Sequence, residues 1–324
     1  VRFAPSAEQR GFAASLRELL SSADIASWAG GRGEDRRRLL WSKLGDAGAT
    51  ALGTPEKFGG FGADALDLVI GFEELGRAAA PGPLVESIAV LPVLLPGTPD
   101  ENRVAALASG EQIGALAMPP HVPFAVDGDL ADTAYVVAGS ALHRAVFVQE
   151  QSSVDTTRRL MQAAPGELVA EGVDSVLAFD LGALATAAQI LGAGFTLLDR
   201  AVEYAKQRSQ FGRPIGSFQA VKHHLADTAV GLELARPLLF GAALAVRDGL
   251  PTRGRDVSAA KVACTDAAYL AARVSLQVHG AIGYTAEYDL ALWLTKVRAL
   301  VSSWGTQREH RDRVAAALHP GQRP

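Results

Sequence analysis

Only one cysteine, Cys264, occurs in 324 residues, so no internal disulfide can form. Its helical surroundings make it a small core residue rather than a reactive thiol. Aromatic residues are scarce at 6%, and the formal net charge is only -4. A balance that close to neutral carries no whole-chain bias toward nucleic acid. No apolar run is expected to reach transmembrane length, and the first residues lack the charged and apolar regions of a signal peptide. No membrane partner is therefore expected, and the expected location is the cytoplasm. What is abundant is apolar: hydrophobic residues make up 48%, with much alanine. That composition suits helices packed on helices, and the length allows two or three domains with sizeable cores.

In chain order, residues 7–22 and 35–47 read as amphipathic helices, with Phe12, Leu16, Leu19 and Leu20 forming a stripe in the first. Pro55 and the glycines around it make 53–62 an irregular loop. Asp64 is a good N-cap for a helix whose apolar face is Leu68, Phe72 and Leu75. Residues 84–95 read as a buried helix and 101–109 as a short one. Glu73 and Glu74 invite an acid/base reading, but on a helix they are expected to be solvated or ion-paired. From about 110 to 179 the runs 113–118, 133–138, 142–149 and 176–179 are short, apolar or β-branched, and bounded by Gly, Pro and Asp. They predict strands of a small, mostly antiparallel domain. The last part, 180–324, is helical again, with helices over 180–207, 217–248, 256–279 and from about 305 to 318, a four-helix bundle. Gly249 and Gly280 stand as helix stops, and Pro237 should bend the second long helix. Trp293, Leu290 and Leu294, in the connector 284–300, are expected to pack into a core or interface.

The most informative stretch is 203–236. Lys206, Arg208 and Arg213 cluster around Phe211 and Gly212 in a turn between two helices. Guanidinium groups pair with phosphate in bidentate fashion, so such a turn can hold an anion. A solvated helix–helix turn is the plainer reading of the same residues.

Arg208, Phe211, Gly212, Phe218 and Gln219 follow the pattern R-x-x-F-G-x-x-x-x-x-F-Q, which resembles the hallmark of the flavin-dependent acyl-CoA dehydrogenase family. Gln277 to Tyr284 resembles that family's Q-x-x-G-G-x-G-[YF] turn, with Ala281 in place of its second glycine. Ser303-Trp304-Gly305-Thr306 sits where its [YG]-E-G-T signature belongs, and 55–62 with Glu73-Glu74-Leu75-Gly76 resembles its N-terminal part. The resemblance implies an α+β, mainly α fold: an N-terminal helical domain (1–109), a reduced, β-barrel-like central domain (110–179) and a C-terminal four-helix bundle (180–324). It also implies FAD, with Arg208, Phe211, Gln219, Gln277 and Gly280 holding the diphosphate and adenine end of a neighbouring subunit's cofactor.

The chain departs from the family where the chemistry should be. Removing an α-proton from an acyl-CoA thioester needs a carboxylate in reach of that proton. The family places its glutamate just before the Gly-Thr of the signature, here Trp304, or at the start of the first C-terminal helix, here Gly182. Neither can take a proton, so no catalytic residue is assigned. The flavin-ring stretches of the central domain, T-E-x-x-x-G-S-D and W-[IV]-[TS], are absent; 116–129 runs through Pro119-Pro120-His121 instead. His121 there reads as ordinary loop surface. Gln307-Arg308 does not keep the spacing of the family's flavin-fixing glutamine. Glu309 and Glu287 are the remaining substitute bases.

Groups for a neighbour's cofactor are kept while groups for the chain's own flavin ring and base are lost. This resembles the shorter, base-lacking subunit of actinobacterial α2β2 acyl-CoA dehydrogenases acting on steroid CoA thioesters. The implied partners are a homologous catalytic subunit, an acyl-CoA substrate and an electron-transferring flavoprotein, with FAD mostly held by the partner. A shortened pocket wall would leave room for a polycyclic acyl group. The alternatives are a self-sufficient homotetrameric dehydrogenase with a relocated base, and a non-enzymatic scaffold or CoA-thioester-binding protein.

Overall fold

A computed structural model describes residues 4–25, 34–285 and 289–319. Helices α1 (Ala7–Ser22), α2 (Glu34–Asp46) and α3 (Ala65–Arg77) open the chain. Ser6 with Gln9, and Asp64 with Asp67, close reciprocal capping boxes that start α1 and α3. Residues predicted as one helix over 84–95 form a π-helical stretch, Val85–Val90, running into α4 (Leu91–Leu94), and α5 (Arg103–Ala108) follows. Pro92 in the first turn of α4 carries no N–H, and the wider π-type turn before it needs none from that residue.

Five strands come next: β1 (Gly114–Ala117), β2 (Phe124–Val126), β3 (Thr133–Ala138), β4 (Ala141–Gln151) and β5 (Leu160–Ala170). They form one sheet in the order β1-β3-β4-β5-β2, parallel between β1 and β3 and antiparallel elsewhere. The two edge strands are joined by a short link closed by a Met118–Val122 bridge, so the sheet has to curl back on itself. Two expectations are corrected here. Strand β5 escaped the pattern because Pro165 and Gly166 interrupt it; Pro165 pairs with Ala145 beside a register shift, where a missing N–H is tolerated. The 176–179 run is not a strand but the first turn of a helix, because the Asp174 side chain accepts from Leu177 N and caps it.

That helix, α6 (Ser175–Gln207), is the axis of the C-terminal half. A two-stranded hairpin, β6 (Ser209–Gln210) and β7 (Arg213–Pro214), leads to α7 (Gln219–Arg247) and α8 (Arg253–His279). Gly249 and Gly280 both have positive φ, as their reading as stops requires. The connector before α10 (Gln307–Leu318) contains a further helix, α9 (Leu290–Leu300). In it Leu290 and Trp293 are buried, and Trp293 Nε1 donates to Arg77 O at 2.7 Å.

Helices α3 and α6 meet backbone to backbone. A Cβ on Gly76 would lie 1.9 Å from Gln189 O, and one on Gly192 would lie 2.0 Å from Glu73 O. Glu73 and Glu74 are buried beside this contact and ion-paired rather than solvated. Glu74 accepts two bonds from Arg17, and Glu73 accepts from Arg236 and Arg77. The expectation of no membrane-length helix is also corrected. By length and hydropathy α6 and α7 could both cross a membrane, but the apolar window of α6 is 94% buried inside the protein.

One buried ion pair ties the sheet side to the helical bundle. Lys296 Nζ, on α9, lies 2.7 Å from Asp155 Oδ2, with side-chain exposures of 4% and 0%. Asp155→Ala should destabilise the protein by about 3–5 kcal/mol, because it strands a buried ammonium. Denaturant unfolding of both proteins reads this directly; a change below about 0.5 kcal/mol would contradict it.

Candidate functional site

The two positions where a base was sought, far apart in sequence, touch in space. Gly182 lies in the first half of α6 and Trp304 in the link between α9 and α10. The indole fills the room that a side chain at 182 would need: a Cβ there would sit 2.1 Å from the ring's Cε3. Trp304 is 2% exposed and has φ +55°, a left-handed backbone rare for a bulky residue. Several contacts hold it there. His310 donates from Nε2 to Trp304 O at 2.8 Å, which assigns that tautomer, and burial lowers the imidazole to about 4, so it stays neutral. The Phe179 ring lies between His121, Trp304 and His310. Lys261, buried and pushed down to about 7 by desolvation, donates to Leu300 O and so fixes the end of α9 just ahead of Trp304.

Trp304 Nε1 donates to Glu86 Oε1 at 3.0 Å. Glu86 was not foreseen as a site residue, although a lone carboxylate inside the apolar run 84–95 is the kind of signal that marks one. Burial pushes it up to about 7, only partly opposed by its hydrogen bonds, including that from Trp304, and by Arg158. The space left among Glu86, Arg158, Lys296, Ser303 and Trp304 is about 30 Å³. That holds roughly one water. A pocket for a drug-sized ligand is roughly ten times larger, at ~300 Å³ or more. The chain's own residues at this place do not fit a flavin ring with an acyl group beside it.

The substitute bases fare no better. Glu309 is the third residue of the α10 capping box, where Oε2 accepts from Thr306 N at 2.6 Å and Oε1 lies 2.8 Å from His121 Nδ1. Partial burial pulls its carboxyl upward, but the bonds from Thr306 and His121 win and hold it below the usual range. Glu287 lies outside the described residues. His121, read as plain loop surface, is half exposed and anchors that loop to α10 through Glu309. Gln307 is spent on Asp266, and Arg308 is 91% exposed at the side chain.

The kept residues form a second place, at the exposed end of the bundle. Arg208 follows α6, Phe211 and Gly212 make the tip of the β6–β7 hairpin, Gln219 opens α7, and Gln277 and Gly280 close α8. Tyr204 stacks on His279 with ring centroids 4.4 Å apart, which draws the ends of α6 and α8 together. Phe211 is 91% exposed with φ +53°, and its ring meets Phe218 edge-on. Arg213 lies over the Phe218 ring at 4.2 Å. Among the described residues neither Arg208 nor Arg213 is ion-paired to a carboxylate, whereas Lys206 is, to Glu203. The result is an exposed, cationic and aromatic surface whose two arginines have no carboxylate partner among the described residues.

Gly182→Ala should cost about 1–3 kcal/mol through overpacking against the indole, and should become nearly neutral in a Trp304→Ala background, itself about 3–5 kcal/mol destabilised. A double-mutant unfolding cycle gives the coupling; additive costs would refute the contact. Because the folded-state pKa of Glu86 is raised, the folded protein holds a proton that the unfolded chain has lost between about pH 4.5 and 7. Stability should therefore fall across that window by about 3 kcal/mol and level off above it. Glu86→Gln should remove this fall, as pH-dependent denaturant unfolding would reveal.

Two family models match the chain: the acyl-CoA dehydrogenase N-terminal domain over residues 6–111, and the acyl-CoA dehydrogenase C-terminal domain over 171–319. The acyl-CoA dehydrogenase IpdE2 of Mycobacterium tuberculosis is 37% identical over 288 residues, covering 88% of this chain and 87% of that protein. Two solved structures share the fold at 21% identity. The ChsE4-ChsE5 complex from Mycobacterium tuberculosis has a TM-score of 0.81 and covers all of both chains. A variant of the Tcur3481-Tcur3483 steroid ACAD has a TM-score of 0.84, covering 97% of this chain and 98% of that one. Matched over 88% of its length by a relative 37% identical to it, and over 6–111 and 171–319 by the family's own domains, the chain belongs to the acyl-CoA dehydrogenase family.

Proposed function

We propose that this chain is the non-catalytic subunit of a heterotetrameric FAD-dependent acyl-CoA dehydrogenase that introduces an α,β double bond into a bulky, steroid-type acyl-CoA. The observation that carries the reading is the packing of Trp304 into the space above Gly182, which removes both family base positions and the volume beside them. The loss of a base alone would leave a hole. A filled, hydrogen-bonded and close-packed site is what a chain retains when the site's integrity matters for folding and not for turnover. The partner would supply the carboxylate and the acyl pocket, and the bound flavin would accept the β-hydride.

This chain's task is then to bind and orient. Arg208, with Arg213 beside it, pairs with the diphosphate of the partner's FAD, and Phe211, Gln219, Gln277 and Gly280 shape the adenine end. Guanidinium groups lacking a carboxylate in their own chain suit that task. The exposed apolar stripe of α7 supports an assembly: Val230, Leu234 and Leu238, spaced by four, are each at least half exposed. A helix that leaves such a row to water is built to meet another surface. The steroid class is supported by the fold shared with the Tcur3481-Tcur3483 steroid ACAD, and an electron-transferring flavoprotein would reoxidise the complex.

A self-sufficient enzyme with Glu309 as relocated base is disfavoured by the use of that carboxylate as a helix cap. The test is the visible flavin spectrum with subunit stoichiometry, for the chain alone and for the chain co-expressed with a catalytic paralogue. Colourless alone and yellow in the complex, with one FAD per pair of unlike chains, is the expected result; one FAD per chain in the isolated protein would overturn it. Arg208→Ala should leave assembly intact and weaken flavin retention by roughly 10- to 150-fold, the equivalent of about 1.5–3 kcal/mol. Unchanged retention would favour a scaffold that takes no part in holding FAD.

A further inference from the structure

One opening lies beside the charged helix contacts and away from the Trp304 region. It is a cleft of about 570 Å³ between α1, α3 and α7. That volume lies within the range of small-molecule pockets, roughly 300–1,000 Å³. Its shape comes from one stripe of α1. Arg10, Ala13, Ala14 and Arg17 recur at helical spacing and all line the cleft, so the helix is pared to methyl groups in the middle and carries a guanidinium at either end. Ile70 of α3 and Phe240 of α7 complete an apolar floor.

One of the four arginines lining the cleft has no carboxylate partner among the described residues. Glu74 is taken by Arg17, at 2.5 and 2.8 Å, and Glu73 is shared by Arg236 and Arg77. Glu233 is paired with Arg236. Arg77 also lies 3.6 Å from Asp199. Arg10 is different: it is exposed, and among the described residues its guanidinium donates to a neutral acceptor, Pro5 O, at 2.5 Å and is paired with no carboxylate. It sits at the edge of the cleft beside the apolar floor.

We propose that this cleft is a binding site for an amphipathic carboxylic acid, with its apolar skeleton over Ala13, Ala14 and Phe240 and its carboxylate on Arg10. A neutral apolar molecule would leave the Arg10 guanidinium without a carboxylate, and a cation would be repelled by it. The site is separate from the Trp304 region and from the exposed clamp, and its occupancy needs no flavin. The inference therefore stands or falls apart from the proposed function.

Calorimetric titration of the full-length chain with cholate, a rigid acid, and dodecanoate, a flexible one, tests it. Saturable binding of at least one acid below about 1 mM is expected. Arg10→Gln should weaken it about tenfold, as loss of one charge-assisted pair would. Ala13→Trp should fill the floor and abolish it, and the uncharged methyl ester of the binding acid should bind at least about tenfold more weakly. Circular dichroism establishes that each variant is folded, and Ala14→Leu replaces Ala13→Trp should the latter not be. Absence of saturable binding by either acid would overturn the proposal. So would binding indifferent to filling the floor, or an ester as good as its acid with Arg10→Gln unchanged.

Discussion

The contact of an indole with a glycine decides what this molecule can be. Trp304 needs three things at once: a left-handed backbone at its own position, a neighbour without Cβ at Gly182, and a buried acceptor for its N–H at Glu86. Each is costly in isolation. A non-glycine residue at positive φ costs on the order of 1 kcal/mol or more, and a carboxyl driven to about 7 is one that burial has made uncomfortable. They persist together because the ring fills a volume that would otherwise be a cavity, and a cavity's cost grows by about 24 cal/mol for each Å³. Around the indole, His310 and Lys261 use donors on main-chain carbonyls of the same link, so the backbone strain is held from both sides.

Much of this architecture is legible in the residues. The helix boundaries with strong signals, the Asp64 cap and the Gly249 and Gly280 stops, fall where local chemistry alone puts them. The cationic turn at 206–213 and the lack of a carboxylate at 182 and 304 also stand in the open, because they are local facts of the sequence. What escaped depends on partners distant in the chain. Strand β5 is disguised by Pro165 and Gly166, whose conformations are tolerated only at the irregular pairing with β4. The 176–179 run has strand-like composition, and a single side chain, Asp174, turns it into helix. Glu86 belongs to the same class: its importance comes from Trp304, more than two hundred residues away, and no period in the sequence links them.

The two ends of the bundle obey opposite rules. At the Trp304 end nearly every polar group has found a partner inside the chain: Asp180 takes both Arg253 and Arg313, and Asp155 takes Lys296. At the other end the Phe211 ring is exposed, and arginines 208 and 213 have no acidic partner among the described residues. Internal satisfaction is the mark of a region serving stability, and outward, unmatched donors are the mark of one serving another molecule. A chain that had merely decayed from an enzyme would show erosion at both ends. Here one end is filled and the other exposed, the division of labour that the proposed subunit role would require.

The seal also makes the change hard to reverse. A glutamate placed at 304 would stand within reach of Glu86, and two carboxyls sharing an enclosed, nearly waterless space cannot both ionise, so one would hold its proton through neutral pH. Even with the smaller side chain, the space would stay well short of the ~300 Å³ that a drug-sized ligand needs. To recover a working base, the chain would have to empty the space now closed by the π-helical stretch, Arg158 and Lys296, and that space is tied to the rest of the protein by the Lys296–Asp155 pair. The residues that closed the site have become part of what keeps the chain folded. Under the proposed reading, such a chain would take part in catalysis by lending its exposed surface to a homologue that carries the base.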